Sequence, residues 1–266
     1  MNLRQAAHEL RPLLSDGALR RCGPPYVLDR LRRGAYRHLT EQELLATRRS
    51  DTAFVFGSGR SLLDIGPEDW ARIGECATIS FSEFVRQRFV RADYHVVGEV
   101  HDVPAYAALI RENPNYAGTV FLLQEGWHAD DSNALVGHRL LPAGAGVYRY
   151  RRTSRGRYSP PSRSFADGLV HGWNTSIGVV NFALVLGFRT IVLTGIDLYD
   201  KNYFWLEEGE LRPTVTTPVD QPFPTADPVI ELFGRWRELL EPEGVRLEVY
   251  NPRSLLARVL EVFRWP

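Results

Sequence analysis

Short runs of apolar, β-branched and aromatic residues recur along this chain with helical stretches between them, and that alternation limits its fold more than any other feature. Thr52–Phe56 (TAFVF) is nearly all apolar over its length, the pattern of a strand buried on both faces. Ala77–Phe81, His95–Val97, Thr119–Leu123, Thr190–Thr194 and Arg246–Tyr250 repeat the style. Pro104–Arg111 reads as a helix, and Ser176–Leu186 reads as a buried one, being apolar nearly all round. Val229, Leu232, Phe233, Trp236 and Leu240 share one face of a helix over Pro228–Leu240. Pro228 suits its first turn, with Asp227 as the cap. Arg253–Phe263 reads as a closing amphipathic helix. Strands alternating with helices predict a three-layer, mostly parallel, Rossmann-like α/β sheet.

Two stretches stand outside this rhythm. Residues 1–50 are polar-faced and helical in pattern, broken at Gly23-Pro24-Pro25, and read as an N-terminal helical extension of a domain spanning 51–266. Residues 144–172 carry Arg149, Arg151, Arg152, Arg155, Arg157 and Arg163 among Pro, Ser and Gly. A run of about 30 residues without structure of its own is unusual in a compact domain and is often a lid. Its arginines suit an anionic ligand.

Charge excludes some partners. Lys+Arg and Asp+Glu both number 32, so no net field recruits nucleic acid. Cys22 and Cys76 form no CxxC, against a disulfide framework or a zinc site. Arg4, His8, Glu9 and Arg11 interrupt the first residues, and no window reaches the ~20 apolar residues of a membrane span. The expectation is a cytoplasmic protein with at most peripheral contact at the inner membrane, compatible with a homo-oligomer.

The motifs cluster where strands end. Phe56-Gly57-Ser58-Gly59-Arg60-Ser61-Leu62 follows the first long strand. Glycines there let backbone N–H groups approach a phosphate, at the edge where open α/β sheets bind ligands. The third glycine of the dinucleotide fingerprint is missing, so a tight turn explains the run equally well. Asn174-Thr175-Ser176 opens the buried helix and offers an anion seat, although such residues also cap core helices. Leu193-Thr194-Gly195-Ile196-Asp197-Leu198-Tyr199 carries a strand into a turn with Asp197 and Tyr199, and Tyr203 follows. Tyrosine hydroxyls can hold a leaving phosphate, and an Asp after a strand is also an ordinary turn residue.

Together these runs resemble a known family. NTSIGVVNFALVLGFRTIVLTGIDLYD (Asn174–Asp200) is similar to the central motif of the bacterial lipooligosaccharide sialyltransferases, FGSGRSL (Phe56–Leu62) to their first-strand loop, and NPRSLLA (Asn251–Ala257) to their closing motif. The resemblance implies a nucleotide-binding α/β domain with a lid, and metal-independent, inverting transfer of an acidic, sialic-acid-like or Kdo-like sugar from a CMP donor to a glycan or glycolipid acceptor. Lipopolysaccharide or capsule biosynthesis is the implied setting. It implies no cofactor beyond the donor substrate and no metal ligands. Gly57, Ser58 and Gly59 would line the nucleotide site, with Ser82 where the family has an Asn. Asn174, Thr175 and Ser176 would hold nucleotide or donor sugar, and Tyr199 and Tyr203 the leaving phosphate.

This chain departs from the family at the base. The family's His before the last long helix has no counterpart in Thr214–Asp227, which offers only Asp220 and Asp227. His171, beside the Asn174 motif, is the other candidate and has the better intrinsic pKa. A related group with the same Gly-x-Gly-x-Ser-Leu loop and Gly-Ile/Val-Asp strand end includes flagellin-glycosylating motility accessory factors and an archaeal ATP-dependent 6-hydroxymethylpterin diphosphokinase, for which Asp197 would face Mg²⁺. That enzyme class and a catalytically inactive nucleotide- or glycan-binding protein are the alternatives.

Overall fold

The computed structural model describes residues 36–98, 100, 102–125, 130–153, 156, 158–211 and 225–266. In chain order its elements are β1 (Arg37–His38), α1 (Glu41–Leu45), β2 (Thr52–Phe56), α2 (Pro67–Glu75), β3 (Ala77–Phe81), β4 (Tyr94–Val97), α3 (Val103–Glu112), β5 (Val120–Glu125), α4 (Asp130–Gly137), β6 (Gly146–Arg151), α5 (Thr175–Val185), β7 (Thr190–Thr194), α6 (Ala226–Leu240), β8 (Arg246–Val249) and β9 (Glu261–Val262), with short 3₁₀ turns between. All nine strands lie in one sheet in the order β1-β6-β5-β4-β3-β2-β7-β8-β9, and every pairing is parallel. This is the Rossmann-like α/β architecture that the apolar runs predict.

Side-chain alternation builds the three layers. Ala53 and Val55 of β2, Ile79 of β3 and Val96 of β4 face one side with Ile177 and Phe182 of α5 and Phe233 and Trp236 of α6. Phe54 and Phe56 face the other side with Trp70 and Ile73 of α2. Val97, Phe121 and Leu123 meet Tyr106 and Ile110 of α3 and Leu135 of α4. Caps fix several helix starts. Thr40 and Glu43 form a reciprocal capping box on α1. Asp102 accepts the Ala105 N–H at 3.0 Å at the start of α3. No helix among the described residues is long and apolar enough to cross a membrane.

Several expectations are revised. Residues 1–35 of the expected extension lie outside the described residues, but Arg37–His38 pairs with Gly146 and Val147 and is an edge of the sheet. The segment read as a lid, 144–172, opens with β6. Beyond β6, the buried Asn181 side chain of α5 accepts the Ser162 and Val170 N–H groups at 3.2 and 2.7 Å and donates to the Ser162 carbonyl at 3.0 Å. Phe165 packs on Phe182, and Arg163 makes a two-pronged ion pair with Glu243 at 2.6 and 2.8 Å. These contacts seat residues 162–170 on the α5/α6 face of the sheet. Asp227 lies inside the first turn of α6, whose N-cap is Thr225. Arg253–Phe263 forms a 3₁₀ turn at Leu255–Arg258 followed by β9, in place of a helix.

Candidate functional site

The chain leaves β2 toward β3 on one flank and returns, after β6 and α5, to β7 on the other flank. The chain paths after β2 and β7 therefore run to opposite flanks, and ligand crevices of such sheets lie at this point where strand order reverses. A cavity of about 320 Å³ lies there, at the low end of the ~300–1,000 Å³ range of small-molecule pockets. Residues 57–59, 81–83, 174–176 and 195–198, with Asp200, Asn202, Tyr203 and Trp205, supply its walls. Sites separated by more than a hundred residues are thus brought together by topology alone.

The Gly57–Gly59 loop is sandwiched against the β7 loop. Gly57 N–H donates to Thr194 O at 2.8 Å, Gly59 N–H to Gly195 O at 2.7 Å, and Arg60 N–H to Asn202 O at 3.0 Å. A β-carbon at Gly57 would collide with the Gly195 carbonyl, and one at Gly59 with the Asp197 carboxylate. The glycines therefore serve close approach of two loops, and their own N–H groups are bound within the protein. Ser58 between them lines the cavity, and neither its N–H nor its hydroxyl has a protein partner.

Asp197 is the staple of this region. Its carboxylate accepts the Ser61 hydroxyl at 2.6 Å, the Ser61 N–H at 3.2 Å and the Asn251 amide at 2.9 Å. Burial pushes its carboxyl above the usual Asp range, opposed by these three hydrogen bonds. It joins the loops after β2, β7 and β8, and the Asn251–Ala257 motif earns its place by closing this clamp: the Ser254 hydroxyl donates to Ile196 O at 2.7 Å.

At the start of α5, Asn174 makes no side-chain bond to the helix backbone; its Oδ1 accepts the Ser176 hydroxyl at 2.6 Å. The first-turn N–H groups of this 11-residue helix carry the positive end of its dipole. A β-carbon placed on Gly98, at the end of β4, would lie 3.7 Å from Thr175 Oγ1 and 3.8 Å from Ser82 Oγ. The absence of one leaves both hydroxyls facing a common space, and neither has a protein partner. Tyr203 completes a set of four such hydroxyls on the wall, with Ser58, Ser82 and Thr175.

Backbone strain gathers here too. Among the described residues three that are not glycine have positive φ, and two of them, Ser82 at +50° and Leu198 at +65°, line this cavity. Left-handed backbone is costly for a β-carbon-bearing residue and persists where the surroundings impose it.

The other predicted residues divide. Tyr199 does not line the cavity; its hydroxyl oxygen accepts the Asn251 amide at 3.4 Å, and burial pushes its pKa up to about 12. His171 lines a small annex behind Thr175, together with Arg152 and Tyr150. Asp227 is exposed on α6, away from both spaces. Asp220 lies outside the described residues. Sequence reasoning missed Glu83, Asp200 and Trp205, which also form the wall. Their signal was position: each follows the carboxyl end of a strand whose neighbouring residues had been singled out. Trp205 stacks on Tyr203 with centroids 4.7 Å apart and planes 4° from parallel. Glu83 is held by Arg86 at 2.6 Å, and Asp200 accepts the Asn202 N–H at 2.9 Å.

No family model matches the chain, and no curated protein matches it.

Proposed function

We propose that this protein is a glycosyltransferase that moves an acidic sugar from a CMP donor to a glycan acceptor without a metal. The observation that supports the reading is the convergence on one cavity of two segments that resemble sialyltransferase motifs, the Gly57–Gly59 part of Phe56–Leu62 and both ends of Asn174–Asp200, while the third, Asn251–Ala257, is bound to the Ile196–Asp197 turn beside it. The unpartnered hydroxyls and the α5 terminus offer hydrogen-bond donors and positive potential to a phosphate, where no lysine or arginine among the described residues lines the wall. The stacked Tyr203–Trp205 pair offers an aromatic shelf for a base or a sugar face.

In this reading the acceptor hydroxyl attacks the anomeric carbon, the bond from that carbon to the phosphate oxygen breaks, and CMP departs with the electron pair. Thr175 and the α5 terminus bind the departing phosphate, with the Tyr203 hydroxyl donating to it. The acceptor proton passes to a carboxylate of the wall. Asp200 is best suited, because Asp197 is buried under three donors and Glu83 is paired with the Arg86 charge, whereas Asp200 accepts only from the neutral Asn202, through its N–H at 2.9 Å and its amide at 3.2 Å. His171 lines the small adjoining space, which shares Thr175 with this cavity. The setting that goes with such a donor is cytoplasmic, with at most peripheral membrane contact.

The test is donor choice. CMP raises the melting temperature more than ATP–Mg²⁺ or NAD, and CMP-sugar turnover persists in excess EDTA. Greater stabilisation by ATP–Mg²⁺, or turnover that EDTA removes and Mg²⁺ restores, overturns the reading.

A further inference from the structure

We propose that Tyr106 is a positioning residue, holding the Ser82 backbone in the left-handed conformation that presents this residue to the cavity. Ser82 sits at φ +50° on the cavity wall. Tyr106, buried on α3, donates its hydroxyl to the Ser82 carbonyl at 3.3 Å. The same hydroxyl meets Nε2 of His95, which is fully buried on β4. On the other side of the ring, His95 Nδ1 lies 2.8 Å from Ser80 Oγ, itself 3.2 Å from the Tyr116 hydroxyl.

Hydrogen counting gives this chain a direction. Tyr106 has one hydroxyl proton, so donating to Ser82 requires that it accept from His95, which makes Nε2 the protonated nitrogen. The single Ser80 proton has two acceptors in reach, the Tyr94 carbonyl at 3.2 Å and His95 Nδ1 at 2.8 Å; donation by Tyr106 to Ser82 requires that it go to the nearer Nδ1, with Ser80 accepting from Tyr116. Every donor in the series points toward the Ser82 carbonyl. A buried network that only filled space between β3, β4 and α3 would have no reason to end on a strained residue of the cavity wall. Here the conformation that glycine would adopt freely is imposed on a serine by a hydrogen bond from behind.

The inference takes its binding probe, CMP, from the proposed function, and two readouts are independent of that reading. The first is the tautomer of His95 in the wild-type protein, read from imidazole ¹⁵N shifts: Nε2 carries the proton. The second is the ligand-free crystal structure of Tyr106→Phe, in which Ser82 relaxes to negative φ. Calorimetric CMP affinity then falls about tenfold, in keeping with loss of one hydrogen bond's worth of ordering. Adding Ser82→Asn to Tyr106→Phe restores positive φ, since Asn enters the left-handed region more readily. A proton on Nδ1 in the wild type, or Ser82 still at positive φ in Tyr106→Phe, overturns the proposal. If the wild type binds no CMP, the nucleotide reading fails, while tautomer and φ still decide the role of Tyr106.

Discussion

Gly59 lies so close to Asp197 that a β-carbon on the glycine would overlap the carboxylate. Asp197 cannot yield without giving up Ser61 and Asn251, the partners through which it joins three loops. Gly59→Ala therefore destabilises the fold by about 1–3 kcal/mol, the usual range for forcing extra volume into a packed site, and weakens ligand binding as well. Gly66→Ala is the matched control: nothing lies within 4 Å of its added carbon, and its φ of −72° suits any residue. Urea unfolding of both variants checks the contrast.

The two tyrosines that the sequence treats as a pair separate in the structure. Tyr203 is on the cavity wall, whereas Tyr199 is turned to Asn251. Tyr203→Phe lowers kcat for CMP-sugar turnover about tenfold or more with the melting temperature nearly unchanged. Tyr199→Phe leaves kcat within about twofold, since it gives up only a long hydrogen bond outside the reacting space. The reverse ranking would move the phosphate to the Asn251 side.

Proton removal distinguishes Asp200 from His171. Asp200→Asn retains an oxygen for the Asn202 N–H and gives up only the 3.2 Å bond from the Asn202 amide. Transfer to acceptor falls ~10²–10⁴-fold, the span of a general base, with CMP affinity kept. His171→Asn lowers transfer by less than about tenfold. Steady-state transfer rates measured beside CMP titrations give the answer.

Acid stability reports on His95. Burial pulls its pKa from 6.5 down to about 3, so the folded protein holds the ring neutral while the unfolded chain binds a proton below 6.5. Its contribution to stability is complete above pH 6.5 and is lost as pH falls from 6.5 toward 3, at up to about 1.4 kcal/mol per pH unit. Denaturant midpoints across that range slope downward toward acid, and His95→Gln makes the slope shallower. An unchanged slope would assign the acid sensitivity elsewhere.

The strands that bury both faces were legible because an apolar run needs no neighbour to be recognised: Thr52–Phe56 and Thr190–Thr194 stand where their composition puts them. β6 was hidden because its sequence, GVYRYR, lies next to the two-residue β1 and carries arginines, the mark of a loop. Asn181 was equally opaque. Inside an otherwise apolar helix it reads as an exception, and only the fold shows that it ties down residues 162 and 170. At the site, position after a strand pointed to Gly57 and Asp197, and the family resemblance pointed to Ser82, all three on the cavity wall. Neither separated Tyr199 from Tyr203, because only the fold turns Tyr199 to Asn251 and leaves Tyr203 on the cavity wall. The link from Tyr106 to Ser82 joins residues 24 apart through a carbonyl, and no side-chain pattern advertises a carbonyl.

The outermost strands, Arg37–His38 and Glu261–Val262, are only two residues long. A wide parallel sheet with full-length margins would present long ladders of unused amide groups to any extended chain nearby. Trimmed to two residues at both sides, these margins offer too little ladder for another molecule to add a strand, which protects the protein against edge-to-edge fibril growth during folding.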